Sequence, residues 1–181
     1  MKRSSDDDIL LKAIDFAADK HMDQRRKGLK RIPYINHPLR VARTLQIHGE
    51  KDGNLLSAAV LHDTIEDTST TIDDIRREFG IKVARLVKEV SDDMALPAMK
   101  RKQLQISGAA KLSDNAKKIK IADKICNISD LIKYPITWSE RRKYEYIIWS
   151  VDVIKYCRGV NEFLEAEFDK VAEEGIDWFR P

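Results

Sequence analysis

The amino-acid sequence predicts an all-α protein, a compact bundle of about eight to ten helices. Three observations lead there. Only 7 Gly and 5 Pro punctuate 181 residues, too few for a succession of short strands and tight turns. Apolar residues recur at three- and four-residue spacing along most of the chain. Hydrophobic residues make up 43% and charged residues 35%, the balance given by helices with a buried stripe and a solvated face. One domain over residues 9–175 accounts for the length, with residues 1–8 as a flexible polar segment.

The first helix is expected from about Ile9 to Arg25, with Ile9, Leu10, Ala13, Ile14, Ala17 and Ala18 on one stripe. A polar, basic stretch follows, from Arg25 to Arg31. In Pro33-Tyr34-Ile35-Asn36-His37-Pro38, Asn36 or His37 can cap a helix that takes Pro38 in its first turn. The third helix, Asn54 to about Glu66, is apolar on all sides and therefore buried. Thr71 caps the next, followed by acidic first-turn residues, and Gly80 stops it. Ile81 to Val90 forms a further helix, and Pro97 opens one that runs through Lys100-Arg101-Lys102. Ser113 caps a long helix to about Lys133, Ser139 caps one ending at Gly159, and Asn161 begins the last, to about Glu174. No segment reads as a strand.

The charge balance narrows the function classes. The net charge of +3, from 33 basic and 30 acidic residues, is too mild for binding long nucleic acid by charge alone. Cys126 and Cys157 are far apart and in no metal-ligand spacing, so neither a disulfide scaffold nor a thiolate metal site is expected. The acidic start, Ser5-Asp6-Asp7-Asp8, lacks a signal-peptide core, and no apolar run reaches the roughly 20 residues of a membrane span. The expected setting is cytoplasmic, with no membrane or nucleic-acid partner; a homodimer is left open.

Two constellations and one histidine carry the chemistry. His62-Asp63-Thr64-Ile65-Glu66-Asp67 puts three carboxylates at the end of a buried helix, where the macrodipole is negative and burial makes unpaired charge costly. A divalent cation nearby would relieve both. On the helix of Asp123-Lys124-Ile125-Cys126-Asn127, the residues Asp123, Asn127 and Asp130 form a polar stripe apart from the core stripe of Ile121, Ile125, Ile128 and Ile132. That stripe reads either as wet surface or as buried ligands. His37 reads as a cap, a packed ring or a third ligand. Two His and two Asp suit Mn²⁺, Fe²⁺, Co²⁺ or Zn²⁺, metals that activate water and polarise phosphoryl oxygens. Glu66 and Asp67, one turn beyond, can orient that water or accept its proton. Gln24-Arg25-Arg26-Lys27 reads either as a phosphate clamp or as cations pairing with a helix C-terminus. Tyr34 can stack on a base or belong to the core; His21 and His48 read as structural or exposed.

Tyr34-Ile35-Asn36-His37-Pro38, His62-Asp63-Thr64-Ile65-Glu66-Asp67-Thr68 and Ala122-Asp123-Lys124-Ile125-Cys126-Asn127 resemble the hydrolase domain of the RelA/SpoT family, within the HD superfamily. Gln24 to Lys27, Val90-Ser91-Asp92-Asp93, Arg101 to Gln105, Trp138-Ser139 and Glu145-Tyr146 extend the match in family order over nearly all of residues 9–170. The length is similar to the small alarmone hydrolases, including the metazoan SpoT-like type. The resemblance implies an HD-domain helical bundle and Mn²⁺-dependent removal of pyrophosphate from the 3′ position of ppGpp and pppGpp. It implies metal ligation by His37, His62, Asp63 and Asp123, and catalytic duty for Glu66 and Asp67. It places Arg26 and Lys27 near phosphates, Tyr34 near the base, and Asn127 near the ribose and reacting phosphate, with Arg25 and Tyr146 expected among the substrate contacts. The chain departs from the family pattern at Met94, at Ala98, and through Cys126 to Leu131. Lost cations there bear on nucleotide preference, so (p)ppApp and the 2′-phosphate of NADPH stand as alternative substrates. A silent alarmone-binding regulator is the reading from another class.

Overall fold

The computed structural model describes residues 6–28 and 30–181. Nine α-helices lie among them: α1 (Asp6–Lys20), α2 (Asn36–Ile47), α3 (Gly53–Leu61), α4 (Thr64–Asp67), α5 (Ile72–Val90), α6 (Ala98–Gly108), α7 (Asp114–Lys133), α8 (Glu140–Ile154) and α9 (Glu162–Phe179). The only extended pairing among the described residues is an isolated antiparallel bridge between Arg25 and Pro33. No described helix is long and apolar enough to cross a membrane.

Two helices organise the bundle. Every residue of α3 except Asn54 is buried, because Leu55, Leu56, Ala58, Ala59, Val60 and Leu61 leave it no polar face. It packs against α1, α2, α5 and α7. α7 lies against α2, α5, α8 and α9 as well. Its buried set includes Ile119, Ile121, Ile125 and Ile128, and also Asp123, Lys124 and Asp130. Three charged groups inside a central helix require partners on neighbouring elements, and those partners build the site.

The caps explain most boundaries. Thr71 and Asp74 form a capping box at α5, and the side chains of Ser113, Ser139 and Asn161 accept backbone N–H groups at α7, α8 and α9. Asp52 caps α3 in the same way. At α2 the expectation needs correction. Ile35 occupies the cap position without a side-chain hydrogen bond, and Asn36 and His37 lie inside the first turn. The Asn36 amide donates instead to the Pro33 carbonyl, which frees His37 to point inward.

Other boundaries move too. α1 starts at Asp6, so residues 6–8 of the segment set aside as flexible are helical; residues 1–5 lie outside the described residues. α1 ends at Lys20 and not Arg25, where the chain turns and doubles back. The expected third helix is two: it stops at Leu61, turns through His62 and Asp63, and resumes as α4. The Thr64 hydroxyl donates to the Leu61 carbonyl at 2.6 Å, satisfying an acceptor that a continuous helix would have used. α8 ends at Ile154 and α9 extends to Phe179. In α5 the helix bends at Gly80, whose φ of 82° and ψ of 174° only glycine adopts without strain. The bend keeps Ile75 and Phe79 before it, and Val83, Ala84 and Val87 after it, in one core.

Candidate metal centre and adjoining nucleotide-sized cleft

Three elements meet at the centre. α2 delivers His37, the turn between α3 and α4 delivers His62 and Asp63, and the middle of α7 delivers Asp123. His37 and His62 are almost wholly buried, with ring centroids 5.3 Å apart. His37 Nε2 lies 3.1 Å from Asp123 Oδ1 and 3.6 Å from Asp63 Oδ2. His62 Nε2 lies 3.0 Å from Asp63 Oδ2 and 3.8 Å from Asp123 Oδ1. One ligand atom each from His37, His62 and Asp123 falls within a 4.8 Å circle, a grouping that could hold a metal ion. Asp63 borders that group, and the Tyr34 hydroxyl donates to the same Oδ2 that faces the two histidines, at 2.7 Å.

The donor atoms fit a divalent ion. His62 Nδ1 donates to the Ala59 carbonyl at 2.7 Å, which leaves Nε2 as the ring nitrogen that can take either a proton or a metal ion. That Nε2 is buried and makes no hydrogen bond among the described residues. The local field asks for positive charge. Burial pushes the His62 imidazole down, but Asp63 and Asp123 outweigh it and hold the ring protonated up to about 10. For His37 burial prevails and the ring stays neutral. Burial also works against both carboxylates. It is overcome at Asp63 by His62 and at Asp123 by Lys124, so both stay charged. A divalent cation meets the demand that a proton on His62 meets here.

The two acids beyond the turn diverge. Glu66 faces the metal side, where its Oε1 accepts the Asp92 backbone N–H at 2.7 Å, and burial raises its carboxyl to about 7. Asp67 is exposed on the other side, held by the Gln24 amide at 2.9 Å. A cavity of about 180 Å³ contains Glu66, the four candidate ligands and Lys120. Beside it opens a cleft of about 330 Å³ that Asp67, Lys27, Trp138 and Tyr146 help to line. Arg26, Tyr34 and Asn127 line both.

The basic loop resolves into separate roles. Arg26 N–H donates to the Ile32 carbonyl and Tyr34 N–H to the Gln24 carbonyl, so residues 24–26 and 32–34 lie side by side as a short ribbon. That ribbon sets Arg26 over the Tyr34 ring, 5.4 Å from its centroid. Arg25 is exposed, and its guanidinium turns to the Met22 and Gln24 carbonyls, which lie in the turn beyond α1 and not at the helix end itself. Arg26 reaches inward to Asn127 Oδ1 at 2.6 Å and to Asp130. Asn127 in turn donates to Asp123 Oδ1 at 2.6 Å. Lys27 sits over Trp138, 5.8 Å away, and Tyr146 packs between Trp138 and Trp149.

Several participants carry little sequence signal. Arg40 closes a fork on Asp130, with bonds of 2.6 and 3.1 Å, so Asp130 holds two arginines at once. Lys124 is buried, 3.1 Å from Asp123 Oδ2 and 4.6 Å from the Trp149 ring centre. Lys120 donates to the Val90 carbonyl at 2.7 Å. Arg40 sits where an amphipathic helix would put a solvated charge. The signal for Lys124 was available: a lysine directly after Asp123 in an isoleucine-rich helix.

Residues 13–144 match the HD domain family. Guanosine-3′,5′-bis(diphosphate) 3′-pyrophosphohydrolase MESH1 of Xenopus tropicalis is 48% identical over 176 residues, covering 96% of this chain and 98% of the relative. The protein of that name from Homo sapiens is 50% identical over 158 residues, covering 86% and 88%. A solved structure, described as a metazoan orthologue of SpoT that hydrolyses ppGpp and plays a role in starvation responses, superposes with a TM-score of 0.89. It is 39% identical and covers 92% of this chain and 94% of the other. With these likenesses running nearly end to end, the chain belongs to the HD domain family, among the guanosine-3′,5′-bis(diphosphate) 3′-pyrophosphohydrolases.

Proposed function

We propose that this protein hydrolyses the 3′-pyrophosphate of ppGpp and pppGpp, giving GDP or GTP and pyrophosphate, with Mn²⁺ as its metal. The observation that carries the proposal is the shared wall of the two cavities. Arg26, Tyr34 and Asn127 border both the cluster of His37, His62 and Asp123 and a cleft large enough for a nucleotide. The names of the relatives supply the nucleotide. A cytoplasmic setting agrees with two free, buried cysteines.

His37, His62, Asp63 and Asp123 would hold the ion, a set of two nitrogen and two oxygen donors within the range of Mn²⁺. When bound, such an ion polarises a phosphoryl oxygen and acidifies water. The remaining chemistry belongs to side chains. Glu66, poised near neutrality, takes the proton of the attacking water. The bond between phosphorus and O3′ breaks, the oxygen of water stays with the pyrophosphate, and the proton taken up by Glu66 passes on to the departing O3′, which restores the carboxylate. Asp67 faces the leaving nucleotide from the cleft side. Asn127, fixed between Asp123 and Arg26, orients the ribose and the reacting phosphate. Arg25, Arg26 and Lys27 supply positive charge along the cleft, and Tyr34 and Tyr146 present ring surface to the base.

The test is a product assay on metal-stripped protein with ppGpp, ppApp and NADPH, each with and without Mn²⁺. The expected result is GDP plus pyrophosphate from ppGpp only when Mn²⁺ is present. Intact ppGpp alongside cleavage of ppApp, or phosphate release from NADPH, would transfer the site to another substrate. Tight ppGpp binding without cleavage would make the protein a sensor.

A further inference from the structure

We infer that His21 is a positioning residue for Asp67, acting through Gln24. The inference rests on the proposed function, which gives Asp67 its duty in the site. His21 lies just past the end of α1 and is 2% exposed. Its Nδ1 is 2.6 Å from Gln24 Oε1, and Gln24 Nε2 is 2.9 Å from Asp67 Oδ2.

The direction of this relay follows from donor chemistry. An ionised carboxylate only accepts, so Gln24 must turn its NH₂ group toward Asp67. Its Oε1, which also only accepts, then faces His21, so His21 Nδ1 must carry the hydrogen. With the hydrogen on Nε2, the ring would set a lone pair against Oε1. The amide would then turn over and present oxygen to the carboxylate. The state of a buried ring thus selects which end of Gln24 meets an exposed acid.

The ring itself is held firmly. Its centroid is 4.9 Å from that of Tyr34, whose hydroxyl donates to Asp63. One imidazole therefore backs two carboxylates, Asp67 by hydrogen bonds and Asp63 by packing through Tyr34. His21 Nε2 has no partner among the described residues, so the hydrogen bond this ring makes there is the one that serves Gln24. A residue needed only for packing could be phenylalanine.

The experiment compares His21→Phe and His21→Asn in the full chain, by steady-state turnover of ppGpp with Mn²⁺ and by thermal denaturation. Phenylalanine keeps the packing and loses the donor. Asparagine places its Nδ2 where Nδ1 was and leaves a void. The expected result is that His21→Phe is the more stable variant yet loses about 10-fold in kcat, with KM little changed. His21→Asn should melt lower and recover most of kcat. A kcat order that follows the melting order would overturn the inference. Should the wild type fail to cleave ppGpp, the proposed function falls, and the relay is read instead from the ¹⁵N shifts of the His21 ring. Hydrogen on Nδ1 supports it and hydrogen on Nε2 overturns it, with no substrate needed.

Discussion

His62 gives its Nδ1 hydrogen to the carbonyl of Ala59, 2.7 Å away and one turn earlier in the chain. The carbonyl can only accept, so the bond fixes the tautomer and aims Nε2 at Asp63 and Asp123. Backbone geometry at the end of α3 thereby prepares a candidate metal ligand without help from a second side chain.

Metal capture should depend on the carboxylates around that nitrogen. Asp63→Ala is expected to abolish stoichiometric Mn²⁺ binding, measured by calorimetry on stripped protein, and to abolish turnover. Helix content by circular dichroism should stay close to wild type. Retained tight binding would remove Asp63 from the ligand set.

Glu66→Gln should separate catalysis from stability. Turnover is expected to fall by about 100-fold or more with the metal still bound, if Glu66 is the proton acceptor. The stability effect runs the other way. A carboxyl raised to about 7 in the folded chain, from an ordinary value of 4.5, favours folding in its neutral form. It costs stability progressively as pH rises from about 4.5 to about 7. The metal-free variant should therefore be more stable than wild type at pH 8, by about 1–3 kcal/mol, and equal to it near pH 4. Denaturant titrations at the two pH values check this; an equal difference at both would contradict it.

Asp130→Asn should loosen Arg26 and Arg40 together. Asp130 is the shared partner of both guanidiniums, and Arg26 reaches Asn127 from that anchor. The expected signature is a rise in KM for ppGpp larger than the fall in kcat, with a loss of up to about 3 kcal/mol in stability. A changed kcat at constant KM would argue against a substrate-side role.

Gly175→Ala tests the packing behind the site. A Cβ there would lie 2.7 Å from Ile147 Cδ1 and 3.1 Å from Ile128 Cγ2, so the two isoleucines must repack or α9 must shift. A loss of about 1–3 kcal/mol is expected. Gly108→Ala meets open space and has a helical φ of −90°, so it should be nearly neutral. Equal effects at the two glycines would count against close packing at α9.

The fold was largely legible because its signals are local. Ser113, Ser139, Asn161 and Thr71 announce helix starts by chemistry that needs no tertiary context. The turn at His62-Asp63 was not legible, since both residues keep helical dihedrals and only the Thr64 hydroxyl marks the break. His62 and Asp123 stood out because each closes an apolar run, whereas His37, set between Asn36 and Pro38, gave no such signal and joined them only through the family resemblance. Asp130 with Arg26 and Arg40, and His21 with Gln24 and Asp67, could not be paired in advance. The bonds to Asp130 and Asp67 join distant parts of the chain whose polar groups, taken singly, look like solvated surface.

The spread of the candidate ligands along the chain has a kinetic consequence. His37 and Asp123 lie almost half the sequence apart, on helices that touch only after α2, α3 and α7 have docked. Individual helices can form within microseconds, whereas such distant contacts close late. During refolding, ellipticity should recover before the chain gains affinity for a divalent ion. Ion uptake would then mark completed assembly, and the ion would draw the last docking step forward by mass action.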